Sequence, residues 1–235
     1  MAGALLSRQA RVASTQDLIH ALGDAGAPTG SAIVAEEQVG GRGSRGRTWA
    51  SPPGGLWMSV LCRPASEVAA AVLSLRVGLA AAEVLEAQAP GATLALKWPN
   101  DLMLADRKLG GILCEARWQG GLLAWVAVGL GLNVANPLPA EVRDRAVALA
   151  SVAPGLTPDV LAEPLRAAIT QAGAATGPLT PDEVARYVAR DWLRGRVLAE
   201  PVAGTGAGLA PDGALLVQGA GGVITAVRAG TVLVA

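Results

Sequence analysis

A chain of 235 residues buries roughly 70–75% of its unfolded surface on folding, so it needs no disulfide to hold a core. Nineteen basic and nineteen acidic side chains cancel, which removes global charge as a reason to expect nucleic acid or an anionic membrane as the main partner. The two cysteines, Cys62 and Cys114, stand in apolar surroundings without metal-ligand spacing and read as buried thiols of a cytoplasmic protein.

Residues 1–6 lack the charged start and apolar core of a secretion signal. Ser14-Thr15-Gln16-Asp17 then fits a helix start, with Leu18, Ile19 and Leu22 on one face. His20, the single histidine, falls in this helix and reads as structural. Residues 31–36 form a short apolar strand and Leu56–Cys62 a second one. Ser66 caps a long alanine-rich helix that ends near Pro90. Within it, residues 68–85 approach membrane-span length, but Arg76 at mid-span costs ~2.5–3.5 kcal/mol in a bilayer, so the stretch reads as a buried helix. Leu94, Leu96 and Trp98 alternate with Thr93, Ala95 and Lys97, the period of a half-buried strand with Lys97 off the leucine face. Residues 102–104, a polar turn at 105–108, and residues 109–118 read as strand, turn and returning strand, followed by Gln119-Gly120-Gly121 and a strand at 122–128. Helices follow Asn136, with start signals at Thr157-Pro158-Asp159 and Thr180-Pro181-Asp182-Glu183. Beyond Gly195, about five short strands separated by glycine-rich turns suggest a small barrel packed on the main domain.

Chemistry concentrates in a few segments. Gly40 to Trp49 reads GGRGSRGRTW, four glycines and three arginines, with no acid between Gln38 and Ser66. Glycine lets backbone close around a ligand, and arginine matches phosphate and carboxylate oxygens in pairs. A disordered RNA-binding tract has a similar composition, but this one is short, occurs once and lies between two strands. Lys97-Trp98-Pro99-Asn100-Asp101 puts an ammonium, an amide and a carboxylate at one sheet edge, where an ordinary Pro-Asn-Asp turn is the alternative. In Lys108-Leu109-Gly110-Gly111-Ile112-Leu113, paired glycines inside a strand mark close approach of a ligand or another backbone. Gly129-Leu130-Gly131-Leu132-Asn133 is half of a dinucleotide fingerprint, without its third glycine or helix. Ser14 and Thr15 serve either as helix caps or as ligand hydroxyls.

In this order and spacing, Gly41-Arg42-Gly43-x-x-Gly46-Arg47-x-Trp49, Ser51-Pro52-x-Gly54-Gly55-Leu56, the Lys97 and Lys108 segments, and Gly129-x-Gly131-Leu132-Asn133 resemble the signatures of biotin protein ligases. The resemblance implies an α+β fold, a mixed, largely antiparallel sheet flanked by helices of class II synthetase type. A biotin- and ATP-binding catalytic domain would occupy 1–194 and an SH3-like β-barrel 195–235. It implies a two-step reaction: biotin is activated with ATP to biotinoyl-5′-AMP, then transferred to a lysine of a biotin carboxyl carrier protein, the acetyl-CoA carboxylase subunit. Catalytic roles would fall to Lys97, Asp101 and Arg42. Ser14, Thr15, Gln16, Gln38, Gly41, Arg42, Gly43, Ser44, Lys97, Gly110, Gly111 and Gly129 would contact biotin. Arg42, Arg45, Arg47, Trp49, Asn100, Lys108 and Asn133 would contact ATP. Magnesium would arrive with the nucleotide, without a metal site of protein ligands. No nucleic-acid or membrane partner is expected, and exposed strand edges suggest a homodimer.

Two positions depart from the family pattern. Ser44 stands where an arginine that helps retain the intermediate is common, and Gln16 replaces a frequent asparagine. The Ser14-Thr15 motif also begins within fifteen residues of Met1, which leaves no room for the DNA-binding extension of relatives that repress transcription and suggests a ligase without that activity. A lipoate ligase shares the fold and adenylation chemistry, but is not expected to combine the arginine loop with Lys-Trp-Pro-Asn-Asp. A nucleic-acid module, poor in aromatics here, and an interaction domain built on the barrel are the remaining alternatives.

Overall fold

The computed structural model of the protein describes residues 3–235; Met1 and Ala2, the start of the stretch read for a secretion signal, lie outside it. Seven strands form the main sheet: β1 (Leu6–Val12), β2 (Ala32–Gln38), β3 (Leu56–Cys62), β4 (Leu94–Lys97), β5 (Asp101–Leu104), β6 (Arg107–Gln119) and β7 (Leu122–Leu132), in the spatial order β1-β2-β3-β7-β6-β5-β4. Every pairing is antiparallel except β1 with β2. β1 was not anticipated from sequence. Its residues LSRQARV carry two arginines and are mostly exposed or half-buried, so an edge strand hydrogen-bonded on one side lacks the apolar alternation that marks inner strands.

β3 is buried along its whole length, because helices cover both faces of the sheet centre. The period of two then sorts its side chains. Leu61 joins Ile33, Trp125 and Ala127 around Ile19 of helix α1 (Thr15–Asp24) on one face. On the other, Met58, Val60 and Cys62 join the main core with α3 (Leu73–Gln88) and α4 (Pro158–Ala174). Helix starts follow the expected caps: Ser14 Oγ accepts from Gln16 N, Ser66 Oγ from Ala69 N, and Thr180 and Glu183 form a reciprocal capping box at α5 (Pro181–Ala189). Thr157 holds the N-cap position of α4 but makes no side-chain cap bond. The long alanine-rich helix is two helices, α2 (Glu67–Ala71) and α3, broken at Val72 (φ −101°, ψ 4°). Val72 is fully buried, so packing rather than glycine or proline fixes the break. Arg76 is buried and paired with Glu183 at 2.7 Å, and it also donates to the carbonyls of Gly177 and Pro178. No helix among the described residues is long and apolar enough to cross a membrane.

The five C-terminal strands, β8 (Val197–Glu200), β9 (Gly204–Leu209), β10 (Leu215–Gln218), β11 (Ile224–Val227) and β12 (Leu233–Val234), form an antiparallel, SH3-like sheet in the order β11-β10-β9-β8-β12. Leu198, Leu209, Leu215 and Val217 belong to the same buried cluster as the main core. Trp98 Nε1 donates to Gly213 O across the junction at 2.9 Å. The C-terminal sheet is therefore packed on the main sheet and not tethered to it.

Candidate active site

One cleft of about 950 Å³ runs over β3, β6 and β7, between the arginine loop and the C-terminal sheet. Ser14, Thr15, Gln16, Gln38, Arg42, Gly43, Ser44, Arg45, Arg47, Trp49, Lys97, Asn100, Asp101, Lys108, Gly111, Gly129 and Asn133 all line it. The helix start, the loop and three strand segments, far apart in sequence, thus meet at one place.

At one end the lining is polar, uncharged and buried. The α1 start brings Thr15 to Gln38, whose Oε1 accepts from Thr15 N at 2.8 Å and from Thr15 Oγ1 at 3.0 Å; Gln38 Nε2 in turn donates to Ser51 Oγ. Thr15 Oγ1 also lies 2.7 Å from Ser59 Oγ. Ser59 was missed from sequence, although a serine inside the apolar run LWMSVLC was a readable signal, because a buried hydroxyl demands a partner. Gln16 Nε2 donates to Leu113 O, while Gln16 Oε1 is buried without a partner. Such an acceptor costs free energy until something donates to it, which makes this end receptive to a neutral N–H group. The Ser14 hydroxyl caps α1, and Ser14 also lines the cleft.

The other end is cationic. β4 ends on Lys97, Lys108 is the second residue of β6, and Asp101 lies in register opposite Lys97. Asp101 Oδ1 accepts from Lys108 Nζ at 2.5 Å, whereas Lys97 forms no ion pair among the described residues. Burial pushes the Lys97 ammonium below the usual lysine value; Asp101 opposes the drop, and Lys108, Arg196 and Arg47 add to it. An anion delivered here would relieve that repulsion. Asn100 is held by its side chain to Ile112 O at 2.6 Å. Trp49 carries Lys108 Nζ over its ring at 5.1 Å, and its buried Nε1 has no partner. The chain after β7 turns back along β6, where Lys108 N donates to Arg145 O, and so closes this side.

The arginine loop bridges the two ends, but its cations are already engaged. Arg42 is bound by Asp17 at 2.7 Å and by both Glu115 oxygens at 3.0 and 3.2 Å. Arg47 donates to Ser44 Oγ and Ser44 O, and Arg45, with φ 61°, reaches Thr231 in the loop between β11 and β12. Two carboxylates, on α1 and β6, hold Arg42 in this conformation.

Gly41 and Gly110 do not line the cleft. A Cβ would sit 2.3 Å from Trp49 O at Gly41 and 2.7 Å from Gly131 O at Gly110, so each glycine makes room for a neighbouring carbonyl. Gly129 and Gly131 lie inside β7, which settles the dinucleotide resemblance: they are strand residues that make room for Gln16 and for the Trp49 ring. Trp192 and Asp106 also line the cleft without having been read as site residues. Cys114 does so too, but burial raises its thiol well above the usual value, as it does Cys62, pushed up to about 12, so neither is a ready nucleophile.

The sequence matches the model of the biotin/lipoate A/B protein ligase family over residues 9–133. It is 42% identical over 135 residues to the biotin--[acetyl-CoA-carboxylase] ligase of Paracoccus denitrificans, covering 56% of this chain and 52% of that protein. To the bifunctional ligase/repressor BirA of Bacillus subtilis it is 35% identical over 147 residues, 60% of this chain and 45% of BirA. The chain therefore spans about half the length of these relatives or less. A biotin protein ligase from Aquifex aeolicus, solved in complex with biotin and ATP, superposes with a TM-score of 0.83 at 25% identity, covering 98% of this chain and 99% of the other. The matched region holds the helix start, the arginine loop and both lysines that the cleft gathers, and on that ground the chain belongs to the biotin/lipoate A/B protein ligase family.

Proposed function

We propose that the protein activates biotin with ATP and transfers it to a lysine of a biotin carboxyl carrier protein. One observation carries this reading: a buried, uncharged polar pocket with an unpartnered acceptor, Gln16 Oε1, opens directly onto an end lined by Lys97, Lys108 and Arg47. Biotin has the matching polarity, a neutral ureido ring at one end and a carboxylate at the other. The Paracoccus and Bacillus relatives and the Aquifex complex support the same reading.

Roles then follow from position. Ser14, Thr15, Gln16, Gln38 and Ser59 surround the ring, and Gly43, Ser44, Gly111 and Gly129 flank its chain. Lys97 lies where the biotin carboxylate meets the α-phosphate. A carboxylate oxygen attacks phosphorus, the bond to the bridging oxygen breaks, and pyrophosphate departs. The acceptor amine then attacks the carbonyl carbon and AMP leaves. Negative charge gathers on phosphate and then on carbonyl oxygen, and a fixed ammonium stabilises both. Trp49, Arg45, Arg47, Asn100, Lys108 and Asn133 line the nucleotide end, and Asp101 orients the acceptor amine.

Among the described residues no three His, Cys, Asp or Glu side chains gather as a metal site. That arrangement is compatible with magnesium carried on phosphates with one or two carboxylates, and Asp101 is the nearest carboxylate to Lys97 and Lys108 in the cleft. The ion would screen phosphate charge there. The same proposal places the boundary between catalytic domain and barrel at 194/195 and the protein in the cytoplasm, acting without nucleic acid or membrane and able to pair as a homodimer.

Pyrophosphate exchange into ATP, run with biotin, lipoate or neither, tests the reading. Biotin-dependent exchange is expected. Lipoate-dependent exchange alone selects the other branch of the family, and no exchange with either removes the proposal.

A further inference from the structure

Lys97 lacks a carboxylate partner, yet its ammonium is not loose: it sits 4.9 Å from the centre of the Trp192 ring, within cation–π range. Trp192 belongs to the connector between α5 and the C-terminal sheet, and that connector is bonded along β4. Leu96 N donates to Arg190 O at 2.8 Å and Trp192 N to Leu96 O at 3.0 Å. The indole is fixed in turn. Its Nε1 donates to Asp106 Oδ1 at 2.7 Å, and Arg196 lies 4.0 Å from the ring centre. Arg196 pairs with the same Asp106 oxygen at 2.6 Å and donates from Nε to Trp192 O at 2.7 Å. Asp106 is delivered by the β5–β6 turn, where Ala105 and Asp106 both have positive φ.

We infer that Trp192 is a positioning residue for Lys97: its ring, held by Asp106 and Arg196, keeps the ammonium in the cleft without neutralising it. A carboxylate in that place would hold Lys97 equally well but would occupy its donors and cancel the charge that an incoming anion needs. A π face attracts the cation and leaves its N–H donors for ligand oxygens. Asp106 pairs with Arg196 and so offsets part of the repulsion between the two cations on the ring.

The inference rests on the adenylation reading, so the unmodified chain is assayed first in the exchange reaction, where failure counts against that reading alone. Single-turnover formation of biotinoyl-AMP is then followed in variants. Trp192→Leu is expected to lower the rate at saturating biotin and ATP about 10-fold, with each apparent KM changed less than about 3-fold. Trp192→Phe keeps a π face and should recover to within about 3-fold of the unmodified rate. In a Lys97→Met background, Trp192→Leu should have no further effect, because the interaction it removes is already gone. An equal loss with and without Lys97 overturns the inference, as does a Phe variant no better than Leu. Competitive labelling of amines with acetic anhydride needs no biotin chemistry and judges Trp192 even if the exchange assay fails. Trp192→Leu should speed acetylation of Lys97 and leave Lys108 unchanged. Unaltered Lys97 labelling also overturns the inference.

Discussion

The arginine loop and the Lys97 strand both bring cations to one cleft, but they hold them in opposite ways. The loop stores its charge in contacts with the protein: Arg42 on Asp17 and Glu115, Arg47 on Ser44, Arg45 on Thr231. The sheet offers Lys97 with an aromatic face beneath it and, among the described residues, no ion pair. A flexible segment can exchange partners when a ligand arrives, whereas a residue on a strand cannot move far and must be left free in advance. The loop thus has its cations engaged, while the strand holds its ammonium free of an ion pair among the described residues.

Arg76, committed like the loop arginines but buried and outside the cleft lining, gives the sharpest contrast. Arg76→Ala should destabilise the fold by about 3–5 kcal/mol, since it strands Glu183 without its partner. Chemical denaturation would read this, with little effect on activity per folded molecule. Burial raises the Glu183 carboxyl, but bonds from Arg76 and Thr180 outweigh it and hold the value below the ordinary carboxylate range. The pair's stabilisation is therefore present above the unfolded carboxylate value and is lost as pH falls through the lowered folded one. Glu183→Gln should remove that acid limb from a plot of stability against pH.

Lys97→Met should slow adenylation about 10–100-fold while the melting temperature stays near that of the unmodified chain, because the residue supports an anion rather than the core. A Lys97→Met protein with unimpaired turnover would mean that the loop, not the strand, carries the chemistry. The loop should respond more mildly. Glu115→Gln withdraws one of two carboxylates from Arg42 in a half-exposed pair, a change of about 0.2–1 kcal/mol. Faster limited proteolysis near residues 42–47 is expected, with exchange rates within about 5-fold of the unmodified chain.

Ser44→Arg should slow release of biotinoyl-AMP by a few-fold, to be measured by trapping free intermediate. The serine now anchors Arg47, so an arginine here frees Arg47 and adds a donor over the adenylate. Equal release from the two proteins removes this account of the loop.

Much of this contrast was legible in the sequence. Lys97 at the end of a period-two strand, the caps Ser14, Ser66 and Thr180, and the bounds of β3 follow from local pattern. What escaped is non-local. β1 is a polar edge that β2 recruits, the break at Val72 is imposed by packing, and the commitment of Arg42 depends on Glu115, far along the chain. Trp192 is one of six tryptophans, and nothing in its neighbours announces that the connector will lie along β4. The carbonyls that Gly41 and Gly110 make room for, Trp49 O and Gly131 O, come from other segments and leave no mark in the local pattern.

The connector on β4 has a consequence for the order of folding. Asp106 and Trp192 are 86 residues apart, and Trp98 reaches Gly213 across 115. Contacts of such separation close large loops and form late. During synthesis, the pocket around Thr15, Gln38 and Ser59 has all its strands once β7 is made, while the Lys97 end waits for the connector that carries Trp192. The polar pocket forms first and the cationic end of the cleft after it.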